Sequence, residues 1–456
     1  MRAFWIRRPA ASSPFFRRSW AAACLGLLLF GLAACAGPAT IPDSGETEQA
    51  APQVTPSFPE LLDAVPPVLV RSPLEPENAD IRVGLLLPLS GTSAALGQAL
   101  LHAAEMALFD AAAAEFALIV RDTRGTPEGA AQAANEAIGA GAQLIIGPLF
   151  SASVRAVTPA AQAAGINVLA FSTDSSVAGD GIFVIGPLPR TQVERIVGYA
   201  SRQGLRRFAA LVPNSAYGQA IVVAMNEATE RFGVSMAQIE YYDPNAADVS
   251  ESVRRLASYE ARAAALAAER AALAGRQDQA SIEALERLNR YDTLGEIGFD
   301  AVLLPEGGAR LRSVAPLLPF YDIDPAEVRL LGTALWQDPD LGVEPALVGG
   351  WFAAPQPELW EAFERRYRAI YEATPPRVAS LAYDATALAA VLARSGGAEG
   401  FTMDALMQPS GFIGTDGVFR FREDGTVERA LAVLELQREG IIVVDPAPQS
   451  FEEKLF

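Results

Sequence analysis

The sequence has little of what most catalytic sites need. Among its 456 residues there is one histidine, His102, and one lysine, Lys454. A histidine-based triad, an HExxH zinc site and a P-loop lysine therefore have no convincing set of residues here, and no enzyme activity, metal site or cofactor is predicted. The 36 basic residues are outnumbered by 54 acidic ones, so the net charge is −18. Such a charge speaks against an electrostatic grip on nucleic acid phosphates.

Cysteine is also scarce, and both cysteines, Cys24 and Cys35, lie within the first 35 residues. Several arginines there precede an apolar run from Ala21 to Leu32, which is too short for a comfortable transmembrane helix. Residues 1–35 resemble a bacterial lipoprotein signal peptide that ends in the lipobox Leu32-Ala33-Ala34-Cys35. The resemblance implies cleavage, lipidation of Cys35 and a mature chain that cannot form a disulfide.

The lipid anchor and the segment that follows it predict how the folded domain is attached to the membrane. A lipid on Cys35 tethers a protein to a membrane without spanning it, and Ala36, where an aspartate commonly favours inner-membrane retention, indicates the outer membrane of a Gram-negative bacterium. Residues 36–79 are rich in proline and show no helix or strand period. They are expected to form a disordered linker that reaches from about 35 Å as a random coil to about 140 Å when extended. The linker is either a solvated spacer or a docking peptide.

From Ile81 onward, short apolar runs alternate with alanine-rich amphipathic segments, which is the pattern of parallel sheets covered by helices. The arrangement occurs twice, so two doubly wound lobes with a cleft are predicted. Strands are predicted at Ile81–Leu87, Phe116–Val120, Leu144–Ile146, Val168–Phe171, Phe208–Val212, Met236–Tyr242, Ala301–Leu304, Leu330–Gly332, Val348–Ala353, Gly417–Phe421 and Ala430–Glu435. Helices are predicted at Ala95–Phe109, Pro127–Ile138, Ala152–Ala164, Gly218–Phe232, Glu358–Glu372 and Ala379–Ala393. Thr126 is predicted to cap the helix that begins at Pro127.

Motifs spread over residues 81–444 resemble those of the type 1 periplasmic-binding family, in its Leu/Ile/Val-binding-protein-like branch. In family order they are IRVGLLLPLSG (81–91), DTRGTP (122–127), GPL (147–149), PNSAYG (213–218), AYDA (382–385) and GFIGTDG (411–417). The resemblance implies a domain at 80–445 in which the chain crosses three times between two hinged lobes. Lobe 1 is expected at about 80–188 and 356–423, and lobe 2 at about 189–355 and 424–445. The crossings are expected near Pro187–Arg190, Pro355–Glu358 and Glu423–Thr426, and a C-terminal tail at 446–456.

Polar residues follow the predicted strands, where the ligand crevice of an open parallel sheet lies. Those of the first lobe are Ser90, Ser151, Ser153, Ser172 and Thr173. Hydroxyl groups there suit an anion, but serine and threonine are also ordinary helix N-caps, so both interpretations stay open. The resemblance to amino-acid-binding relatives implies that Ser151, Ser172 and Thr173 hold the carboxylate of an amino-acid-like ligand. It also implies that Tyr217 packs on that ligand from the other lobe.

The ammonium end of such a ligand lacks its usual partner in this sequence. The relatives use an acidic residue of the second lobe, whereas residues 332–338 read GTALWQD and place Leu335 and Trp336 where the carboxylate is expected. Glu306 is the nearby substitute for the missing carboxylate, and Trp336 is expected to fill the cleft.

Another branch of the same fold matches three further runs, GPLF at 147–150, GINVLAFS at 165–172 and FVIGP at 183–187. They resemble the C-terminal domain of the penicillin-binding-protein activator lipoproteins, which are anchored in the outer membrane and contact a peptidoglycan synthase. This branch implies a penicillin-binding protein or another cell-wall synthase as partner, and the regulation of peptidoglycan synthesis as function. The amino-acid-binding branch implies delivery of a small polar ligand to a transporter or sensor. Both functions stay open.

An insertion at about 250–294 is rich in Ala, Glu and Arg and is predicted to form a helical hairpin. Tyr259, Leu266 and Leu273 recur every seven residues, and a turn is predicted at Gly275–Asp278. A 25-residue helix of this kind would project about 38 Å. It either packs on its own lobe or serves as a partner-binding prong.

Overall fold

The computed structural model describes residues 80–111 and 116–451, apart from the side chain of Ala398. The predicted signal peptide, Cys35 and the linker at 36–79 lie outside the described residues. Two large sheets and one small antiparallel sheet organise the described part. The buried core follows the two large sheets: one cluster draws on residues 81–188 and 363–427, and two others draw on residues 193–354 and 431–447.

The first sheet has five parallel strands in the order β2-β1-β3-β4-β5. Because β1 lies between β2 and β3, Val83 pairs with Leu118 on one side and with Leu144 on the other. A parallel sheet is covered on both faces by its connecting helices, so its strands are almost wholly apolar. The strands are β1 (Ile81–Leu87), β2 (Phe116–Asp122), β3 (Leu144–Ile146), β4 (Asn167–Ala170) and β5 (Ile182–Val184).

Small side chains let the helices pack closely around this sheet. A Cβ atom on Gly84 of β1 would lie 3.0 Å from the Cβ of Ala137, so a larger residue at either position would separate the helix from the sheet. The predicted N-cap is confirmed, since the Thr126 hydroxyl accepts a hydrogen bond from the Gly129 N–H at 3.0 Å. The helices are α1 (Ala94–Ala111), α2 (Pro127–Gly139), α3 (Ser151–Ala164), and, from later in the chain, α11 (Pro357–Tyr371), α12 (Ala379–Gly396) and α13 (Met403–Leu406).

The second sheet has seven strands in the order β15-β14-β10-β9-β8-β6-β7. Strands β6 to β10 pair in parallel, and β14 and β15 extend the sheet in the antiparallel direction. The strands are β6 (Arg207–Pro213), β7 (Ser235–Tyr242), β8 (Ala301–Leu303), β9 (Arg329–Gly332), β10 (Trp351–Ala354), β14 (Ala432–Gln437) and β15 (Gly440–Asp445). The helices of this part are α4 (Pro189–Arg202), α5 (Ala216–Arg231), α6 (Ser250–Leu256), α7 (Tyr259–Ala274), α8 (Gln279–Leu288), α9 (Gly308–Val314) and α10 (Leu317–Phe320).

The small third sheet corrects the position of one expected crossing. Its strands β11 (Phe412–Gly414), β12 (Gly417–Phe421) and β13 (Val427–Arg429) pair as an antiparallel meander. The predicted crossing at Glu423–Thr426 is therefore the turn of the β12–β13 hairpin. The chain enters the second sheet only after Ala430 and Leu431, because the strand that follows them pairs with β10.

The insertion is helical, but the prediction of one long projecting helix is wrong. Ser258 adopts a left-handed backbone conformation, with φ at 48°, and separates α6 from α7. The longest helix of the insertion, α7, has 16 residues and is therefore about 24 Å long. Arg262 donates hydrogen bonds to the Gly295 carbonyl at 3.1 and 3.2 Å, so the first turn of α7 is held to the chain that leaves the hairpin.

A buried ion cluster joins the third sheet to α12 and to the end of β5. Asp384 of α12 accepts hydrogen bonds from the backbone N–H and the hydroxyl of Thr415, at 2.7 and 2.9 Å. The Arg429 guanidinium lies 3.8 Å from the second Asp384 oxygen and donates to the Ile185 carbonyl at 3.1 Å. Both charged side chains are almost fully buried. The pair thus fixes the end of β13 to α12 and to the residue after β5.

A second carboxylate, Asp416, completes the cluster. It accepts a hydrogen bond from the Ser380 hydroxyl at 2.9 Å and pairs with Arg377. Burial raises the pKa of Asp384 above its ordinary value. For Asp416 burial acts in the same direction, but the charges of Arg377 and Arg429 outweigh it and lower its pKa. Two cations and two carboxyl groups therefore compensate one another, with Arg429, Asp384 and Asp416 buried and Arg377 partly exposed to water.

Removing Asp384 should leave the buried Arg429 guanidinium without the carboxylate that lies 3.8 Å from it. We expect Asp384→Ala to lower the free energy of unfolding by about 3–5 kcal/mol, as measured by urea denaturation. Glu361→Ala serves as the control, because Glu361 is exposed on α11 and its removal should change stability by no more than about 0.5 kcal/mol. A loss below about 1 kcal/mol for Asp384→Ala would show that the cluster does not hold this part of the fold.

Candidate functional site

Two rows of residues stand where a ligand crevice is expected. The carboxyl ends of parallel strands lie on one side of a sheet, and ligands of open α/β folds bind beyond that side. We call the residues at and beyond the carboxyl ends of β1 to β5 the first edge, and those at and beyond the carboxyl ends of β6 to β9 the second edge. The first edge holds Ser90, Asp122, Ser151, Ser153, Ser172, Thr173 and Asp174, and the second edge holds Asn214, Tyr217, Tyr242, Glu306 and Thr333.

Ser90 does not offer a free hydroxyl, because it is engaged by Asp122. The Ser90 hydroxyl donates to Asp122 Oδ2 at 2.5 Å. Asp122 Oδ1 accepts the backbone N–H groups of Leu89, Ser90 and Arg124 at 2.9, 3.2 and 2.7 Å. Burial alone would raise the pKa of Asp122, but these hydrogen bonds outweigh it and hold the pKa below its ordinary value. The ionised Asp122 side chain thus already accepts hydrogen bonds from these donors.

Ser172 and Thr173 belong to a second turn of the same kind, organised by Asp174. The Ser172 hydroxyl accepts the Asp174 backbone N–H at 3.0 Å, and Thr173 is exposed. Asp174 caps the 3-10 helix at Ser175–Val177 and pairs with Arg155 at 2.9 Å. Burial works against ionisation of Asp174, but the hydrogen bonds from Ser176 and the charge of Arg155 outweigh it and lower the pKa. A second ionised carboxylate therefore stands at the first edge.

Ser151 and Ser153 lie in the first turn of α3, directly after β3. The helix begins after Phe150, which supplies no side-chain cap. Ser153 is 1% exposed, and among the described residues its hydroxyl oxygen has no hydrogen-bond partner. A Cβ atom on Gly147, at the start of this turn, would lie 2.4 Å from the Leu86 carbonyl oxygen, so only glycine lets β3 turn into α3 at this point.

The structure brings Tyr217 and Glu306 together at the second edge, with two residues that the sequence analysis did not single out. The Tyr217 hydroxyl lies 3.5 Å from Thr333 Oγ1, and the Tyr242 hydroxyl donates to Glu306. Burial raises the pKa of Tyr217, and the nearby Glu306 charge adds to the effect. Burial and the Glu306 carboxylate also raise the pKa of Tyr242 well above its usual range. Both phenols therefore stay protonated beside a carboxylate.

A small cavity of about 310 Å³ opens next to this cluster, at the ends of β6 and β7. The Arg310 guanidinium donates to the Pro244 carbonyl at 2.6 Å and lies 6.0 Å from the centre of the Tyr242 ring. The second edge thus combines hydroxyls, a carboxylate and a cation. The cavity is lined by Asn214, Tyr241, Tyr242, Asp243, Pro244 and Asn245.

Trp336 corrects the expectation that it fills the cleft. Its side chain is 0% exposed, and its indole N–H donates to the Leu304 carbonyl at 3.0 Å. The indole packs where Gly332 and Gly350 leave room, since a Cβ on either glycine would lie 2.4 or 2.5 Å from its atoms. Burial of a large aromatic ring stabilises the fold when its N–H has a hydrogen-bond partner. Trp336 is therefore a core residue.

Asp122, Asp174, Tyr242 and Gln192 were missed as site residues. Asp122 and Tyr242 each stand at the end of a strand, so the strand-end rule could have found them. Asp174 stands one residue beyond the Ser172-Thr173 pair. Gln192 accepts the Ala334 backbone N–H at 2.8 Å from 142 positions away in the chain, and no local signal predicts that contact.

The described part of the chain lacks the features of two other kinds of site. No helix there is both long and apolar enough to cross a bilayer. Within the same residues, no three His, Cys, Asp or Glu side chains gather in a way that could hold a metal ion.

The chain belongs to the periplasmic binding protein family, whose model matches residues 80–440. Membership implies a periplasmic location and a binding protein as the general class. A solved structure described as a putative branched-chain amino acid ABC transporter from Rhodospirillum rubrum has a TM-score of 0.62, at 19% identity over 80% of this chain and 99% of the other. The similarity shows the type 1 periplasmic-binding fold that the sequence motifs predicted.

Two curated proteins are similar over part of the chain. An uncharacterized protein from Rickettsia prowazekii is 28% identical over 183 residues, which cover 40% of this chain and 48% of that protein. The penicillin-binding protein activator LpoA from Mannheimia succiniciproducens is 30% identical over 166 residues, which cover 36% of this chain and 28% of that protein. The chain thus spans about half or less of the length of these curated relatives.

Trp336 and its neighbour allow a test of core against cleft. We expect Trp336→Ala to lower the free energy of unfolding by about 3–5 kcal/mol, because it empties a packed site. The matched control is Leu335→Ala, since Leu335 is 49% exposed and its loss should cost about 0.5 kcal/mol or less. Urea denaturation measures the free energy of unfolding of both variants. If both variants lose equally little stability, Trp336 is not a core residue and the original expectation of a cleft position holds.

Proposed function

We propose that this protein is a non-catalytic, lipid-anchored member of its family that acts through protein contact, as an activator of a penicillin-binding protein. In this proposal Cys35 carries the lipid in the outer membrane, and residues 36–79 hold the binding domain away from it. The domain consists of lobe 1, at about 80–188 and 356–423, and lobe 2, at about 189–355 and 424–445. In this proposal the last boundary lies after Ala430, several residues later, because the strand that follows pairs with β10.

The observation that carries the proposal is the pair of ionised carboxylates at the first edge. Asp122 already takes the Ser90 hydroxyl and three backbone N–H groups, and Asp174 organises the turn at Ser172 and Thr173. An amino acid binding there through its own carboxylate would compete with Asp122 for the donors and would be repelled by like charge. The first edge therefore suits a small carboxylate ligand poorly.

Two further findings support a protein partner. A ligand ammonium group would need an acidic partner shortly after β9. The residues there, Ala334 to Trp336, form a 3-10 helix and include no acidic residue. The similarity to the activator LpoA, at 30% identity, covers only part of both chains but involves a protein named for activating a penicillin-binding protein.

We expect the full-length chain to bind a purified penicillin-binding protein of the same bacterium and to raise its rate of glycan polymerisation. A melting-temperature screen of the same chain against free amino acids and muropeptides should give no shift. The control Cys35→Ser should leave binding in detergent solution intact but release the chain from the membrane fraction, which separates anchoring from recognition. Absence of binding to every penicillin-binding protein tested, together with stabilisation by one amino acid, contradicts the proposal.

The second candidate is a solute-binding protein for an amino acid or a similar small polar ligand, and the second edge favours it. Tyr217 and Glu306, which are half-buried, and Thr333 and Tyr242, which are buried, form a polar cluster of the kind that fixes a small ligand. A ligand at 100 times its Kd would stabilise the chain by about 2.7 kcal/mol. Tyr217→Ala should abolish that stabilisation, and Tyr291→Ala, which removes a tyrosine 60% exposed elsewhere, should not.

A further inference from the structure

The chain leaves the second sheet at the end of β15 and is held there by a buried arginine. Arg195 of α4, whose side chain is 9% exposed, pairs with the Asp445 carboxylate at 2.9 Å. The same guanidinium donates to the Pro446 carbonyl at 3.3 Å and to the Leu431 carbonyl at 2.7 Å. One side chain therefore ties the start of the C-terminal segment to the place where the chain enters the second sheet.

The next anchor lies at another crossing between the two cores. The Ala447 N–H donates to Gln356 Oε1 at 3.1 Å, and Ala447 packs against the core of the second sheet. Gln356 stands between β10, in the second sheet, and α11, whose buried Phe363 belongs to the first core. Residue 447 thus contacts the chain where it passes from one core to the other.

The segment then ends on the third sheet. The Arg420 guanidinium of β12 lies 4.4 Å from the centre of the Phe451 ring, within the range of a cation–π contact. A Cβ atom on Gly411 would lie 2.9 Å from the same ring, so Phe451 covers a position that has no side chain. The neighbouring Phe419 and Phe421 of β12 belong to the first core.

Residues 446–451 therefore run from the second sheet to a sheet that packs with the first core. Six residues span at most about 20 Å, which limits how far the two anchors can separate while both contacts hold. A movement of the cores that carries the anchors farther apart than the segment can reach must detach Phe451 from Arg420 and Gly411.

We propose that residues 446–451 form a strap that restrains movement between the two cores, with Phe451 as its releasable end. The strap adds a non-covalent link beside the covalent crossings. This inference does not depend on the proposed function, because it concerns how far the cores move and not what they bind.

The test is a distance measurement in the full chain. The sequence has two cysteines, so Cys24→Ser and Cys35→Ser give a background without thiols. Spin labels then go on Glu128→Cys and Gln219→Cys, which are exposed in the first turns of α2 and α5. We expect Phe451→Leu to raise, by about threefold, the fraction of molecules whose label-to-label distance lies outside the peak of the parent protein. A threefold change is the size expected from the loss of one exposed cation–π contact. A chain that ends at Pro446 should show a larger shift.

Two controls separate loss of the strap from a general loss of stability. Phe451→Tyr keeps the aromatic ring and should retain the parent distance distribution. Phe320→Leu replaces a phenylalanine of α10 that is 71% exposed and should also retain it. Far-UV circular dichroism checks that each variant is folded. The strap is refuted if Phe451→Leu and the shortened chain both keep the parent distribution while folded.

Discussion

Parallel strand pairing is the constraint on which the rest of this structure depends. Parallel neighbours need a crossover between them, so the strands of the first sheet alternate along the chain with helices that cover its faces. Covered strands are apolar, and close cover requires small contacts such as Gly84 against Ala137. The same constraint brings all carboxyl ends of a sheet to one side, which is why serines far apart in the chain share the first edge.

What such an edge binds depends on which of its donors are still free. In this chain Asp122 accepts hydrogen bonds from the Ser90 hydroxyl and from nearby backbone N–H groups, and Asp174 accepts them from the N–H and hydroxyl of Ser176. Their ionised state is stabilised by those hydrogen bonds, so two carboxylates of the protein already occupy part of this edge without a ligand. The second edge differs, since its phenols are paired with a threonine and a glutamate and stay protonated. The family fold thus carries two edges of unlike chemistry, which bears on whether a small molecule or a protein surface is recognised.

Several elements were predictable because their signals are local. The helix that begins at Pro127 has its cap and its proline in adjacent positions, and β1 and β3 were predicted with the bounds that the structure shows. Strand β5 was not predicted, because the four apolar residues between Gly181 and Gly186 are too few to show a period. Helix α4 was also missed, although its apolar residues are spaced for a buried face. The long insertion helix was overestimated, since nothing in the sequence marks Ser258 as left-handed.

The sequence by itself determined the class of fold, the order of most strands and helices of the two large sheets, and several of the strand ends at which polar residues gather. It could do so because periodicity and capping are properties of neighbouring residues. Only the tertiary structure decided that Trp336 is a core residue, that Ser90 is engaged by Asp122, and that Arg429 meets Asp384. Each of these contacts joins residues from different elements, and whether a polar group faces a ligand or a partner within the protein depends on which distant side chain packs beside it.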